Sequence, residues 1–220
     1  MDSTTIGVLG GTGPAGSAVA VRIAAAGYTV LLGSREAAKA EAKVAELRGR
    51  FPGRLEGLRG VDNATAAATD VAILATVAES IIPTCTDHAD ALAGRIVVCM
   101  ANLLQKTPRG FAAVFPPEGS VAEAVQVIVP TASVIGAFQN LPSAPLGDLD
   151  SALHADVMVT GDSKDAVRTV IALIDRVDGL VPIDAGPLSN TGCVEGLTAI
   201  LINVNRARKA EHSVLFAPLH

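Results

Sequence analysis

The chain has 220 residues, 50% of them hydrophobic, and a net charge of -5. That is enough apolar material for a full core, in one domain or one and a half. The acidic balance argues against a nucleic-acid-binding surface, and no apolar run reaches the roughly 20 residues of a membrane helix.

Met1 to Thr5 lack a basic region and lead straight into the first strand, so no signal peptide is expected. Residues 6–9 read as a buried parallel strand. It runs into Gly11-Thr12-Gly13-Pro14-Ala15-Gly16, and an alanine-rich helix follows over 17–26, ended by Gly27. Residues 28–32 supply a second strand, which completes a βαβ unit ending at Gly33-Ser34-Arg35. A helix over 36–48 carries Lys39, and a basic, glycine-spaced link occupies 49–54. A short strand is expected near 57–60. Asp62-Asn63 looks like a cap for a helix over 64–68. Residues 70–77 form a strong buried strand, 79–92 a helix despite Pro83, and 95–100 a fifth strand. Ser120 and Glu123 make a capping box for a helix over 120–129, and 133–138 is a sixth strand. Residues 139–149 read as an ordered apolar loop. The tail adds a strand at 156–160, a helix at 164–177 and a strand at 180–183. Ser189 or Asn190 then caps a last helix to about residue 208.

This alternation implies an α/β fold: a Rossmann-type doubly wound, mostly parallel sheet with a smaller C-terminal α/β extension. A dinucleotide-binding domain over 1–138 and a small domain over 139–220 are expected. Cys85, Cys99 and Cys193 are widely spaced, as suits reduced thiols in a cytoplasmic protein, with Cys99 buried in a strand. His88, His154, His212 and His220 form no metal-spaced pair, so no metal site is expected.

The chemistry follows from the strand ends. In such a loop the glycines allow a tight turn, a close approach of backbone to a pyrophosphate, and close packing of helix on strand. Gly11, Thr12, Gly13, Pro14, Ala15 and Gly16 are therefore candidate dinucleotide contacts. Where NAD enzymes place Asp or Glu to hold the ribose 2′-hydroxyl, this chain has Ser34 and Arg35, with Lys39 one turn on. A carboxylate would repel a 2′-phosphate, whereas these side chains accept it, so the expected cofactor is NADP(H). The nicotinamide end falls at Thr76, Val77, Ala78, Met100 and Ala101. Beside it lie Asn102 and the loop Gln139, Asn140, Leu141 and Pro142, an apolar slot with some amides. Tyr28 is the only tyrosine, so a Tyr-x-x-x-Lys pair is impossible, and no catalytic side chain is assigned. Such a slot suits hydride transfer between two flat rings by positioning and water exclusion. Reduction of another small electrophile (a ketone, imine or quinone) and non-catalytic NADP sensing remain alternatives.

These residues resemble the NADP reductases that use coenzyme F420, an 8-hydroxy-5-deazaflavin. The match runs in one order through Gly10-Gly11-Thr12-Gly13, Gly33-Ser34-Arg35-Glu36 and Ala137-Phe138. It continues through Asp184-Ala185-Gly186-Pro187-Leu188-Ser189-Asn190 and Val194-Glu195-Gly196-Leu197-Thr198. The resemblance implies direct hydride transfer between nicotinamide C4 and deazaflavin C5, with F420 as co-substrate, in a homodimer. It implies that the loop after Phe138 and the tail around Val214 and Leu215 line the deazaflavin pocket. Two features depart from the family's usual pattern: the pair Val77-Ala78 where Pro-Trp is usual, and Gln139 where histidine is frequent.

Overall fold

The structure, a computed structural model, describes residues 4–219. Residues 1–3 and His220, on which the reading of the N-terminus and one histidine rest, lie outside the described residues.

The first βαβ unit forms as the apolar pattern dictates. Strand β1 (Thr5–Leu9) leads through the glycine loop into helix α1 (Pro14–Ala25), which starts three residues earlier than the sequence suggests, with Pro14 in its first turn. Strand β2 (Thr29–Ser34), helix α2 (Ala37–Arg50), strand β3 (Leu58–Asp62) and the short helix α3 (Asn63–Ala67) follow. Asp62 caps α3 by accepting from Thr65 N–H at 2.7 Å. Strand β4 (Val71–Leu74) is shorter than expected. The helix expected over 79–92 is two pieces, α4 (Ala78–Asp87) and α5 (Ala89–Leu92). The break falls at His88, whose φ of -120° leaves the helical region, and not at Pro83.

Strand β5 (Ile96–Cys99) precedes a hairpin absent from the sequence reading, β6 (Leu104–Thr107) and β7 (Gly110–Ala113). Helix α6 (Val121–Ile128) keeps its capping box: Ser120 Oγ accepts from Glu123 N–H at 3.0 Å. Strand β8 (Ser133–Gly136) is followed by the apolar loop, which contains one helical turn, α7 (Ser143–Leu146). Strand β9 (Ala155–Gly161), helix α8 (Lys164–Asp175), strand β10 (Leu180–Asp184) and helix α9 (Thr191–Arg208) complete the fold. Neither Ser189 nor Asn190 caps α9 through its side chain; both belong to a 3₁₀ turn over Leu188–Asn190.

Eight strands form one sheet in the order β10-β9-β8-β5-β4-β1-β2-β3. Neighbours are parallel except β8 and β9, which run antiparallel. Strand residues alternate between two cores, as the period of two requires. Ile6, Val8, Val71, Ile73 and Val98 face α1, α2 and α8, in a core shared with Val157 and Val159 of β9. Leu9, Ala72, Leu74, Val97 and Cys99 face α4 and α6. The topological switch point lies between β1 and β4, where ligands of such sheets bind beyond the carboxyl ends of the strands. No helix among the described residues is long and apolar enough to cross a membrane.

Candidate functional site

The loop after β1 is shaped by three close approaches. Gly10 has φ +71°, and a Cβ there would lie 2.4 Å from Thr76 Cγ2. Gly11 N–H donates to Gly33 O at 2.8 Å, tying the loop to β2. A Cβ on Gly16 would lie 2.8 Å from Gly11 Cα, so α1 is pressed against the turn. The positive-φ turn thus falls at Gly10, one residue before the motif. At Gly13 the nearest atom to a Cβ is 3.6 Å away, so the backbone there is open to a ligand. Thr12, Gly13, Pro14 and Ala15 line a cavity of about 840 Å³, whereas Gly11 and Gly16 do not line it and instead pack the turn. Pro14 at the start of α1 gives up only an N–H that has no helical partner, and the positive end of the helix opens toward the cavity.

Ser34, Arg35 and Lys39 line the same cavity at the end of β2. Ser34 is buried, whereas Arg35 and Lys39 are exposed. Lys39 Nζ lies 2.7 Å from Glu36 Oε1, and this contact holds the exposed Glu36 carboxyl below its usual range. Arg35 has no ion-pair partner among the described residues, which leaves its planar fork available to an anion. Sequence reasoning missed Asn63 as a member of this group. It is buried, lines the cavity, and its Oδ1 accepts from Gly10 N–H at 3.1 Å. That bond fixes the glycine loop against the end of β3.

Thr76, Val77, Ala78, Met100, Ala101 and Asn102 line the other end. Val77, at the start of α4, is 68% exposed and stands at the rim. A second cavity of about 380 Å³ adjoins the first through Ala15, Asn102, Thr198 and Ile202. It collects Gln139, Asn140, Leu141 and Pro142. Asn102 Nδ2–H donates to Gln139 O at 3.1 Å. The Thr198 hydroxyl lies 3.0 Å from Asn102 Oδ1 and 2.9 Å from Gln139 O, and its one proton serves either.

The same strand ends carry three unmet buried side-chain groups. Thr76 Oγ1, Gln139 Oε1 and Asn140 Oδ1 are buried without a partner among the described residues. Each such group costs about 1–3 kcal/mol. Phe138, just before Gln139, has φ +70°, a strained value for a bulky residue. Cost and strain therefore gather at strand ends beside the two cavities. None of the four residues common to both cavities titrates.

Val214 and Leu215 are not brought to either cavity. Val214 O accepts from Asp156 N–H at 2.9 Å, and Phe216 N–H donates to the Asp156 carboxylate. The reason is the antiparallel switch. Strand β8 pairs only with the far end of β9, at Thr160 and Gly161, so the start of β9 keeps an open edge that the tail covers.

Fold and loop together define a Rossmann-type dinucleotide-binding protein. The family profile described as "NADP oxidoreductase coenzyme F420-dependent" matches residues 5–103. The F420-dependent NADP reductase of Methanocaldococcus jannaschii is 36% identical over 213 residues, covering 94% of each chain. That of Methanothermobacter thermautotrophicus is 31% identical, covering 91% of this chain and 88% of its own. A solved structure from Arthrobacter sp. FB24, described as a "putative F420 dependent NADP-reductase", superposes with a TM-score of 0.79 at 25% identity. It covers 97% of this chain and 100% of its own. The chain belongs to the family of F420-dependent NADP reductases.

Proposed function

We propose that this chain transfers a hydride between NADP(H) in the first cavity and the deazaflavin coenzyme F420 in the second. One observation carries the reading: the two cavities meet at Ala15, Asn102, Thr198 and Ile202, none of which has a titratable side chain. When bound, the two ligands supply the redox chemistry between nicotinamide C4 and deazaflavin C5. The chain's own residues bind, orient and exclude water.

Thr12, Gly13, Pro14, Ala15 and the start of α1 hold the pyrophosphate, over a turn kept in shape by Gly11 and Gly16. Ser34, Arg35 and Lys39 hold the 2′-phosphate. Thr76, Val77, Ala78, Met100 and Ala101 cover the nicotinamide half. Asn102, Gln139, Asn140, Leu141 and Pro142 receive the deazaflavin. Residues 1–138 thus act as the dinucleotide half, and 139–220 complete the second cavity. Adding coenzyme F420 to protein and NADPH should bleach the deazaflavin's visible absorbance. Bound NADPH with no bleaching across pH 5 to 9 would overturn the reading. Reduction of another small electrophile would then stand, a reading favoured by the exposed Val77 at the rim.

Asn63 belongs to the dinucleotide site in this reading. Asn63→Ala should weaken NADPH and NADH alike by about tenfold, because the lost Gly10 bond serves the shared half of both cofactors. Paired titrations check this, and a loss confined to NADPH would assign Asn63 to the 2′-phosphate.

The protein works in the cytoplasm as a homodimer. Phe115, Ile200, Leu215 and Phe216 are each more than half exposed, beside an apolar groove lined by Phe111, Met158 and Leu197. So much apolar surface is covered by a partner in most proteins. Light scattering should read a dimer for the native chain and a monomer for Ile200→Glu; a native monomer would contradict it.

A further inference from the structure

We propose that Arg22 is a positioning residue that fixes the second cavity against the dinucleotide helix α1. This rests on the reading that the second cavity receives the deazaflavin. Arg22 is 6% exposed and sits in the last turn of α1. Its Nε–H donates to Leu146 O at 2.7 Å. Its Nη2 lies 2.9 Å from Pro145 O, 2.6 Å from Asp148 O and 3.3 Å from Ser151 O. A buried guanidinium usually faces a carboxylate; this one gathers the carbonyls of a single loop.

That loop builds the second cavity. Leu141, Pro142, Ser143 and Ala144 line it, and the chain then turns through α7 into the carbonyls that Arg22 holds. Ala15, Ala18 and Arg22 are spaced by three and four residues and so share one face of α1. Ala15 lines both cavities. Ala18 abuts the loop, since a Cβ on Gly147 would lie 3.2 Å from Ala18 Cβ. One helix face therefore carries the wall common to both cavities at its start and the fastening of the second cavity at its end. The basic link over 49–54 adds an outer fastening: Arg54 donates to Leu149 O at 3.0 Å and pairs with Asp150 at 2.8 Å. The separation of the two rings is thus set by how α1 and the loop are joined. A misplacement of about 1 Å can slow such a reaction about 10²-fold.

The test compares the native chain with Arg22→Met, Arg22→Lys and Gly147→Ala. Coenzyme F420 and NADPH are each titrated by fluorescence, and bleaching is followed in a single turnover. Arg22→Met should raise the Kd for F420 about tenfold and slow bleaching about tenfold, with the Kd for NADPH within about twofold of native. Arg22→Lys should recover most of both losses. Gly147→Ala crowds Ala18 without touching the arginine, should move the F420 readings the same way, and answers the question if Arg22→Met does not fold. Native F420 affinity in a folded Arg22→Met chain would overturn the proposal. So would a parallel loss of NADPH affinity. A native chain that binds NADPH but no F420 would instead sink the reading on which the proposal rests.

Discussion

Replacing Arg35 with aspartate should raise the Kd for NADPH roughly 10³-fold and leave NADH within about threefold. The expected size follows from the contacts the site offers a 2′-phosphate. A hydrogen bond to a charged group contributes about 1.5–3 kcal/mol, and the new carboxylate adds repulsion of a dianion. Arg35 is exposed at the cavity edge and has no ion-pair partner among the described residues. Lys39 is less able to replace it, because Lys39 already pairs with Glu36 at 2.7 Å. Titration of both cofactors into both proteins measures the effect, and equal losses would show that Arg35 does not read the 2′-phosphate.

Between pH 5 and pH 8 the stability of Glu195→Gln relative to the native chain should rise by roughly 2–3 kcal/mol. Glu195 is 2% exposed on α9. Its carboxylate accepts from Val121 N–H at 3.1 Å and Ala122 N–H at 3.3 Å, at the start of α6. Burial pushes its pKa up to about 7 from the ordinary 4.5; the two N–H groups oppose this, and Glu123 adds to it. The unfolded chain releases this proton near 4.5, whereas the folded chain keeps it to about 7. The folded state therefore binds more protons across that window, and native stability falls as pH rises through it. Glutamine cannot titrate. It loses one of the two N–H contacts at every pH, which offsets the curve without tilting it. Denaturant unfolding of both proteins at several pH values gives the difference directly, with all other groups cancelling. A gap that stays constant with pH would mean that Glu195 titrates as it does in the unfolded chain.

What could be read before the structure was whatever depends on local pattern. The strand, glycine loop and helix over residues 6–26 carry their own periodicity, and Ser34 and Arg35 stand where β2 must end. Residues 139–142 follow a strand of the same sheet, and the structure brings them to the second cavity. What was missed depends on distant partners. Asn63 resembled a helix cap because it follows Asp62, yet its side chain reaches Gly10, 53 positions away. The only local signal was an amide at the end of a strand beside the cofactor edge. The β6–β7 hairpin has short strands with exposed Gln105 and Lys106, so alternation is weak. It is held by Asn203 of α9, which accepts from Phe111 N–H and donates to Phe111 O, both at 2.8 Å. The family resemblance alone implies that Val214 and Leu215 line the deazaflavin pocket. Their placement along β9 follows from the reversal of one strand, which no local pattern announces.

The most direct test uses NADPH carrying deuterium at both hydrogens of nicotinamide C4, mixed with protein and coenzyme F420 in ordinary water. Direct transfer, as proposed for the junction of the two cavities at Ala15, Asn102, Thr198 and Ile202, predicts one deuterium at C5 of the reduced deazaflavin and none lost to solvent. Reduced deazaflavin carrying hydrogen from water at C5 would contradict it.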